Sequence, residues 1–208
     1  MICNEPWIII DNASKILKRK YVLSHINVTF KQGRIYGIVG PNGSGKTMLL
    51  RAIAGFLYLS EGRVIYRQEK PSMGVIIENP GFLPQYTGYD NLLFLAQVKK
   101  EIGQKQIRDA MVAVGLDPDD KRKVKEYSLG MKQKLAISQA IMEKPQVLIL
   151  DEPFRGLDGD SLMKAKKLFI DFNNQGGTIF IASHRYEDIK PLCHEVYTMK
   201  DGGMLERL

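Results

Sequence analysis

Gly40-Pro41-Asn42-Gly43-Ser44-Gly45-Lys46-Thr47 sets the framework for everything else in this chain. The stretch fits G-x-x-x-x-G-K-[ST], a glycine-rich turn that wraps a polyphosphate. Its flanks agree. Ile35-Tyr36-Gly37-Ile38-Val39 is an apolar run expected to form a buried strand, and Met48-Leu49-Leu50-Arg51-Ala52-Ile53-Ala54 is expected to form a helix. The glycines let successive backbone N–H groups point at one spot, where the helix adds the positive end of its dipole. Gly40, Pro41, Asn42, Gly43, Ser44, Gly45, Lys46, Thr47 and Met48 are therefore the expected nucleotide-binding residues. Lys46 is placed to reach the β- and γ-phosphates, and the Thr47 hydroxyl to ligate Mg²⁺. A ligand-free glycine turn is the competing reading, and the strand and helix on either side argue against it.

The chain has 208 residues, enough for one domain with a sizeable core. Hydrophobic residues make up 44% and charged residues 25%, as in ordinary globular proteins. No apolar run approaches the ~20 residues that span a bilayer. Met1 to Trp7 lacks the basic start and apolar core of a signal peptide. A cytoplasmic protein is expected, with any membrane contact made through a partner. Cys3 and Cys193 have neither metal-ligand nor redox spacing and read as plain thiols. The net charge of +7 suits polyphosphate, nucleic acid or an anionic membrane surface and does not choose among them. The runs Lys18-Arg19-Lys20 and Lys121-Arg122-Lys123-Val124-Lys125 read as solvated loops.

Periodicity predicts short strands at 7–11, 26–30 and 62–66, and an apolar run from Met73 to Ile77. Residues 79–85 read as a loop. Asp90 to Gly115 holds two helical faces, ended by Gly115 and Pro118. A helix begins at Ser128 and stops before Pro145. Val147-Leu148-Ile149-Leu150 has the unbroken apolar character of a central parallel strand. Helix 160–174, strand 178–182, a short helix near 186–192 and a strand near 195–199 follow. Strands alternating with helices imply a mostly parallel sheet covered on both faces.

Asp151 and Glu152 sit at the end of the Val147–Leu150 strand, where ligands bind in open α/β sheets. One carboxylate can hold Mg²⁺, and the next, pointing the other way, can take a proton from an attacking water. His184 follows another apolar strand and falls at the same edge, in reach of a γ-phosphate. His25 and His194 read as structural. Ser128 suits a helix N-cap, and with the bare N–H of Gly130 it offers a second anion site facing outward. The expected sheet order places that site away from its own phosphate loop, which points to a nucleotide held by a partner.

Together these residues resemble the ATP-binding subunit of an ABC transporter over nearly the whole chain. Gly40–Thr47 is similar to the first phosphate loop and Tyr127–Met131 to the signature loop. Val147–Glu152 with Pro153 resembles the Mg²⁺-and-base strand. Gly156-Leu157-Asp158 is similar to the segment that crosses the dimer interface, and His184 to the switch histidine. The resemblance implies an α/β P-loop NTPase: a mostly parallel sheet flanked by helices, with an antiparallel β subdomain and a helical subdomain. Residues 1–78 and 129–208 would form the ATP-binding core and 79–128 the helical part. It implies catalysis by Glu152 as general base, His184 and Lys46, with Thr47 and Asp151 on Mg²⁺. Each ATP would lie between Lys46 of one subunit and Ser128 and Gly130 of a second, so that ATP closes the pair and hydrolysis opens it. A transmembrane permease subunit, driven through residues 79–128, is the implied partner, with the chain peripheral on the inner face of the membrane.

Three positions depart from the family's usual pattern. Glu78 stands where a glutamine is usual, and Ile77-Glu78-Asn79-Pro80-Gly81-Phe82 resembles bacitracin- and lantibiotic-type exporter ATPases. A carboxylate there can still hold Mg²⁺ through water, but adds negative charge near the γ-phosphate; slower turnover and stronger dependence on a docked partner are expected. Leu17 falls where an aromatic usually stacks on adenine, so weak discrimination between ATP and GTP is expected, with Tyr21 or Trp7 as substitutes. The signature reads Tyr127-Ser128-Leu129-Gly130-Met131, and keeps the serine and glycine that touch phosphate. The leading reading is an exporter's energising subunit, a direction favoured mildly by the short tail after the last strand. The alternative is a soluble ABC ATPase acting on nucleic acid or ribosomes, but the tandem domains or long insertion of such proteins are missing, and no nucleic-acid partner is expected. A small-molecule kinase on the same loop would need neither Ser128-Leu129-Gly130 nor His184.

Overall fold

The computed structural model describes residues 5–67, 69–78, 81–200 and 203–208. Cys3, and positions 79 and 80 of the loop expected at 79–85, lie outside them. A three-stranded antiparallel sheet has the order β2-β1-β4, from β1 (Pro6–Leu17), β2 (Lys20–Lys31) and β4 (Glu61–Tyr66). The second sheet has six strands: β3 (Ile35–Val39), β5 (Met73–Ile76), β6 (Val147–Asp151), β7 (Thr178–Ser183), β8 (Glu195–Lys200) and β9 (Met204–Arg207), in the order β5-β6-β7-β3-β8-β9. Every pairing in it is parallel except β8 with β9. The helices are α1 (Lys46–Ala54), α2 (Gly88–Lys99), α3 (Gln104–Ala113), α4 (Leu129–Ile141), α5 (Gly159–Asn174) and α6 (Tyr186–Ile189), with a 3₁₀ turn at Val124–Glu126. This is the predicted fold class.

Alternation explains why the central strands are apolar throughout. Ile35, Leu148, Leu150, Ile179 and Ile181 face one core, with residues of α2 to α5. Tyr36, Ile38, Val147, Ile149, Phe180 and Ala182 face the other, with α1 and the antiparallel sheet. A strand covered on both faces has no polar side to show. The second core centres on aromatic rings: Phe30 meets Phe180 edge-on at 4.8 Å and Tyr36 at 4.8 Å, and Tyr36 stacks on Phe180 at 5.4 Å.

The parallel register lines up the strand ends. Val39 pairs with Ser183, Asp151 with Ala182, and Ile76 with Leu150. The chain therefore leaves β3, β5, β6 and β7 along one edge, bringing the Gly40 loop, Glu78, Glu152 and His184 to the same rim. Three strands differ from the sequence expectation. The first two strands extend far beyond 7–11 and 26–30 to form a long hairpin, and β9 adds an edge strand that the sequence reading did not foresee.

Candidate functional site

The phosphate loop is held where only glycine fits. Gly45 has φ +100°, and a Cβ there would stand 2.5 Å from the Val22 carbonyl oxygen. At Gly40 a Cβ would meet the Met199 carbonyl at 2.3 Å. Gly45 also caps α1 and supplies no side-chain acceptor, so the first-turn N–H groups of this helix have no side-chain cap. Ser44 is buried, and its Oγ has no partner among the described residues. Lys46 is buried too. Its Nζ donates to the carbonyls of Gly40 at 2.7 Å and Pro41 at 3.0 Å, which fixes the ammonium inside the curve of the loop. Burial lowers its pKa, against the pull of Glu152 and Asp151. Uncapped N–H groups, an orphaned hydroxyl and a buried cation at one spot fit a polyphosphate.

Thr47, the next residue, turns its hydroxyl to β6 and donates to Asp151 Oδ2 at 2.6 Å. Burial raises the Asp151 pKa more than this hydrogen bond lowers it. A hydroxyl and a carboxylate side by side suit Mg²⁺, a hard cation that takes few protein oxygens and fills its shell with water and phosphate. Among the described residues no group of three His, Cys, Asp or Glu side chains forms a metal cage of its own. These residues therefore fit Mg²⁺ arriving with a phosphate ligand.

Glu152 follows with φ +49°, a conformation uncommon outside glycine. Its N–H donates to Ala182 O at 2.9 Å, fastening it to β7. Its Oε1 accepts from the His184 backbone N–H at 2.8 Å and lies 2.7 Å from His184 Nδ1, while Ser183 Oγ donates to Oε2 at 3.4 Å. A carboxylate gripped on both oxygens keeps one orientation. Val22, Asn42, Lys46, Thr47, Met48, Glu78, Asp151 and Glu152 line one cleft of about 380 Å³.

The expected residues divide as follows. Lys46, Thr47, Asp151 and Glu152 converge. His184 stands behind Glu152 rather than on the cleft wall. Glu78 reaches the rim with φ +61°, and its carboxylate pairs with Arg51 at 2.8 Å. Ser128 Oγ caps α4 by accepting from Met131 N–H at 3.2 Å; neither Ser128 nor Gly130 lines the cleft. Leu17 ends β1 and is 43% exposed, beside Tyr21 at 45%. Ser183 and Arg51 belong to predicted elements but carry no motif that would mark them as part of the site. The position of Ser183, directly before His184 at a strand end, was an available signal.

Residues 23–155 match the family model described as ABC transporter. This chain belongs to that family. It is 42% identical over 201 residues to YybJ, an uncharacterized ABC transporter ATP-binding protein of Bacillus subtilis, covering 93% of this chain and 92% of the relative. It is 33% identical to the bacitracin transport ATP-binding protein BcrA of Enterococcus faecalis, covering all of this chain and 71% of the relative. The fold matches the dimeric post-hydrolysis structure of the ATP-binding cassette MJ0796 bound to ADP and Pi. The TM-score is 0.87 at 22% identity, over 97% of this chain and 98% of the other. As a member of the family, the chain is an ATP-hydrolysing subunit of a transporter. Among the described residues no helix is long and apolar enough to cross a membrane.

Proposed function

We propose that this subunit powers an exporter by ATP-driven closure of two ATP-binding subunits, and that Glu152 is the base. The triphosphate lies along Gly40–Thr47, with Lys46 on its outer phosphates. Thr47 and Asp151 would hold Mg²⁺, which would neutralise phosphate charge when bound. Glu152, steadied by Ser183 and His184, takes the proton of the attacking water as its oxygen bonds to the γ-phosphorus and ADP leaves. His184 uses Nδ1 on Glu152, and its Nε2 would meet the γ-phosphate only once the two subunits close. Glu78, paired with Arg51 at the rim, would meet the metal's shell only through water. Ser128 and Gly130 act on the nucleotide of the second subunit, homologous or identical. Residues 79–128 carry the motion to a transmembrane permease at the inner face of the membrane. The groove of about 700 Å³ beside α2, with Phe56 and Val98 on its wall, supports that placement.

The observation that carries the reading is the pair of contacts Thr47–Asp151 and Glu152–His184 at one cleft. The absence of Ser128 from that cleft supports a second chain. Likeness to a bacitracin transport protein, with Glu78 in the exporter-type sequence, favours export. The test is Glu152→Gln with ATP and Mg²⁺, followed by light scattering. A dimer holding two nucleotides is expected; a monomer that binds ATP and never pairs rules the mechanism out.

A further inference from the structure

Glu78, Asp151 and Glu152 line the cleft, and Lys46 is the cationic side chain among the lining residues. A bound triphosphate adds several negative charges. Asp151 is engaged by Thr47, and Glu152 by Ser183 and His184. Glu78 is the one of the three held by a full cation, the Arg51 guanidinium, 2.8 Å away. Arg51 lies in the last turn of α1, the helix that begins at Lys46. Glu78 lines the cleft while Arg51 lines the neighbouring groove beside α2, so the half-exposed pair joins the two. The left-handed backbone at Glu78 is costly for a residue with a side chain and persists where its surroundings fix it.

We propose that Arg51 is a positioning residue for ATP: by pairing with Glu78 it neutralises that carboxylate and holds it on the rim, which lets an acidic residue stand beside a triphosphate. This rests on the cleft being the ATP site. An exposed ion pair adds little to stability. Its effect on a polyanion in the cleft that Glu78 lines is larger, because without Arg51 the phosphates meet an uncompensated carboxylate there. That effect is screened by salt, since the Debye length falls from ~10 Å at 0.1 M to ~3 Å at 1 M.

The test is a double-mutant cycle read as ATP affinity by titration calorimetry in EDTA, where no Mg²⁺ supports turnover. Arg51→Met is expected to weaken ATP binding about fivefold or more at low salt, with a smaller loss for ADP and a much smaller one near ~1 M salt. In a Glu78→Gln chain the same substitution is expected to change little, and Arg51→Lys to keep most of the affinity. Melting curves without nucleotide check that folding is equal; if Arg51→Met unfolds, Arg51→Gln replaces it, an amide of similar reach without charge. Equal losses in the two backgrounds, or no loss in either, overturn the role of Arg51 while leaving the cleft as the ATP site. If the unsubstituted chain binds no ATP at all, both fall.

Discussion

Asp151 and Lys46 are charges held where burial opposes them. Burial raises the Asp151 pKa and lowers that of Lys46. An acid with a raised folded-state pKa binds its proton more tightly in the folded chain than in the unfolded one. The cost is absent below the ordinary aspartate value of about 4 and fully present above the raised one. Asp151→Asn is therefore expected to raise the melting temperature of the nucleotide-free chain near pH ~7, to gain little near pH ~4, and to lose ATPase activity. A pH series of thermal melts reads this, and a variant that melts lower at neutral pH contradicts it. Gly45→Ala is the opposite case: its Cβ meets the Val22 carbonyl at 2.5 Å and its φ of +100° suits glycine, so both folding and nucleotide binding suffer. Melting and ATP titration of this variant check both. Lys46, Thr47, Asp151 and Glu152 were legible in the sequence because spacing and strand ends suffice to place them. The Arg51–Glu78 pair was not, because it joins residues 27 apart whose meeting depends on the turn at Glu78.

The β1–β2 hairpin is only partly legible in sequence, for a physical reason. Its tip is Lys18-Arg19, with φ of +48° and +63° at successive residues and Leu17 paired to Lys20. Turns of this kind are usually signalled by Asn-Gly, and here neither residue is present. Register shifts along β1, between Ile10 and Ala13 and again near Lys15, break the alternation that would have extended the predicted strand. β3, β6 and β7 had no such interruptions and were read nearly to the residue. Replacing Lys18-Arg19 with Asn-Gly relieves two left-handed side-chain residues and is expected to stabilise the chain by about 1–2 kcal/mol. For a chain of this size that amounts to roughly 2–8 °C in Tm. An unchanged or lower Tm refutes the reading of the turn. The same hairpin presents Leu17 and Tyr21, both partly exposed, near Val22 of the cleft. If Leu17 faces the base, as the resemblance implies, roughly 1–3 kcal/mol of base stacking is forgone. ATP and GTP should then bind within about tenfold of each other, and a hundredfold preference for ATP in competition binding would show that Tyr21 or another ring supplies the stack.

In the proposed mechanism, hydrolysis needs groups that one copy of the fold keeps apart. The cleft gathers Lys46, Thr47, Asp151 and Glu152, while Ser128 begins α4 outside it. The two regions are nevertheless linked within one chain. A Cβ on Gly130 would stand 2.6 Å from the Gly156 carbonyl, and one on Gly156 would stand 2.6 Å from Leu129 Cγ, so the turn at 128–130 rests on the segment that follows Glu152. In the proposed dimer, a movement of that segment would be passed to Ser128 through this packing. Ser128→Asp separates cap from catalysis: aspartate still accepts the Met131 N–H and keeps α4 intact, yet sets a negative charge toward any phosphate across from it. The variant is expected to fold as well as the parent and to hydrolyse ATP poorly. Lys46→Ala should be inactive through its own site. Mixing the two inactive chains in equal amounts should then restore activity, because half of the pairs combine one good Lys46 with one good Ser128 across a two-fold interface. Roughly a quarter of the parent's active sites would be whole. A mixture no more active than its components, or full activity in Ser128→Asp alone, would place the entire reaction within a single chain.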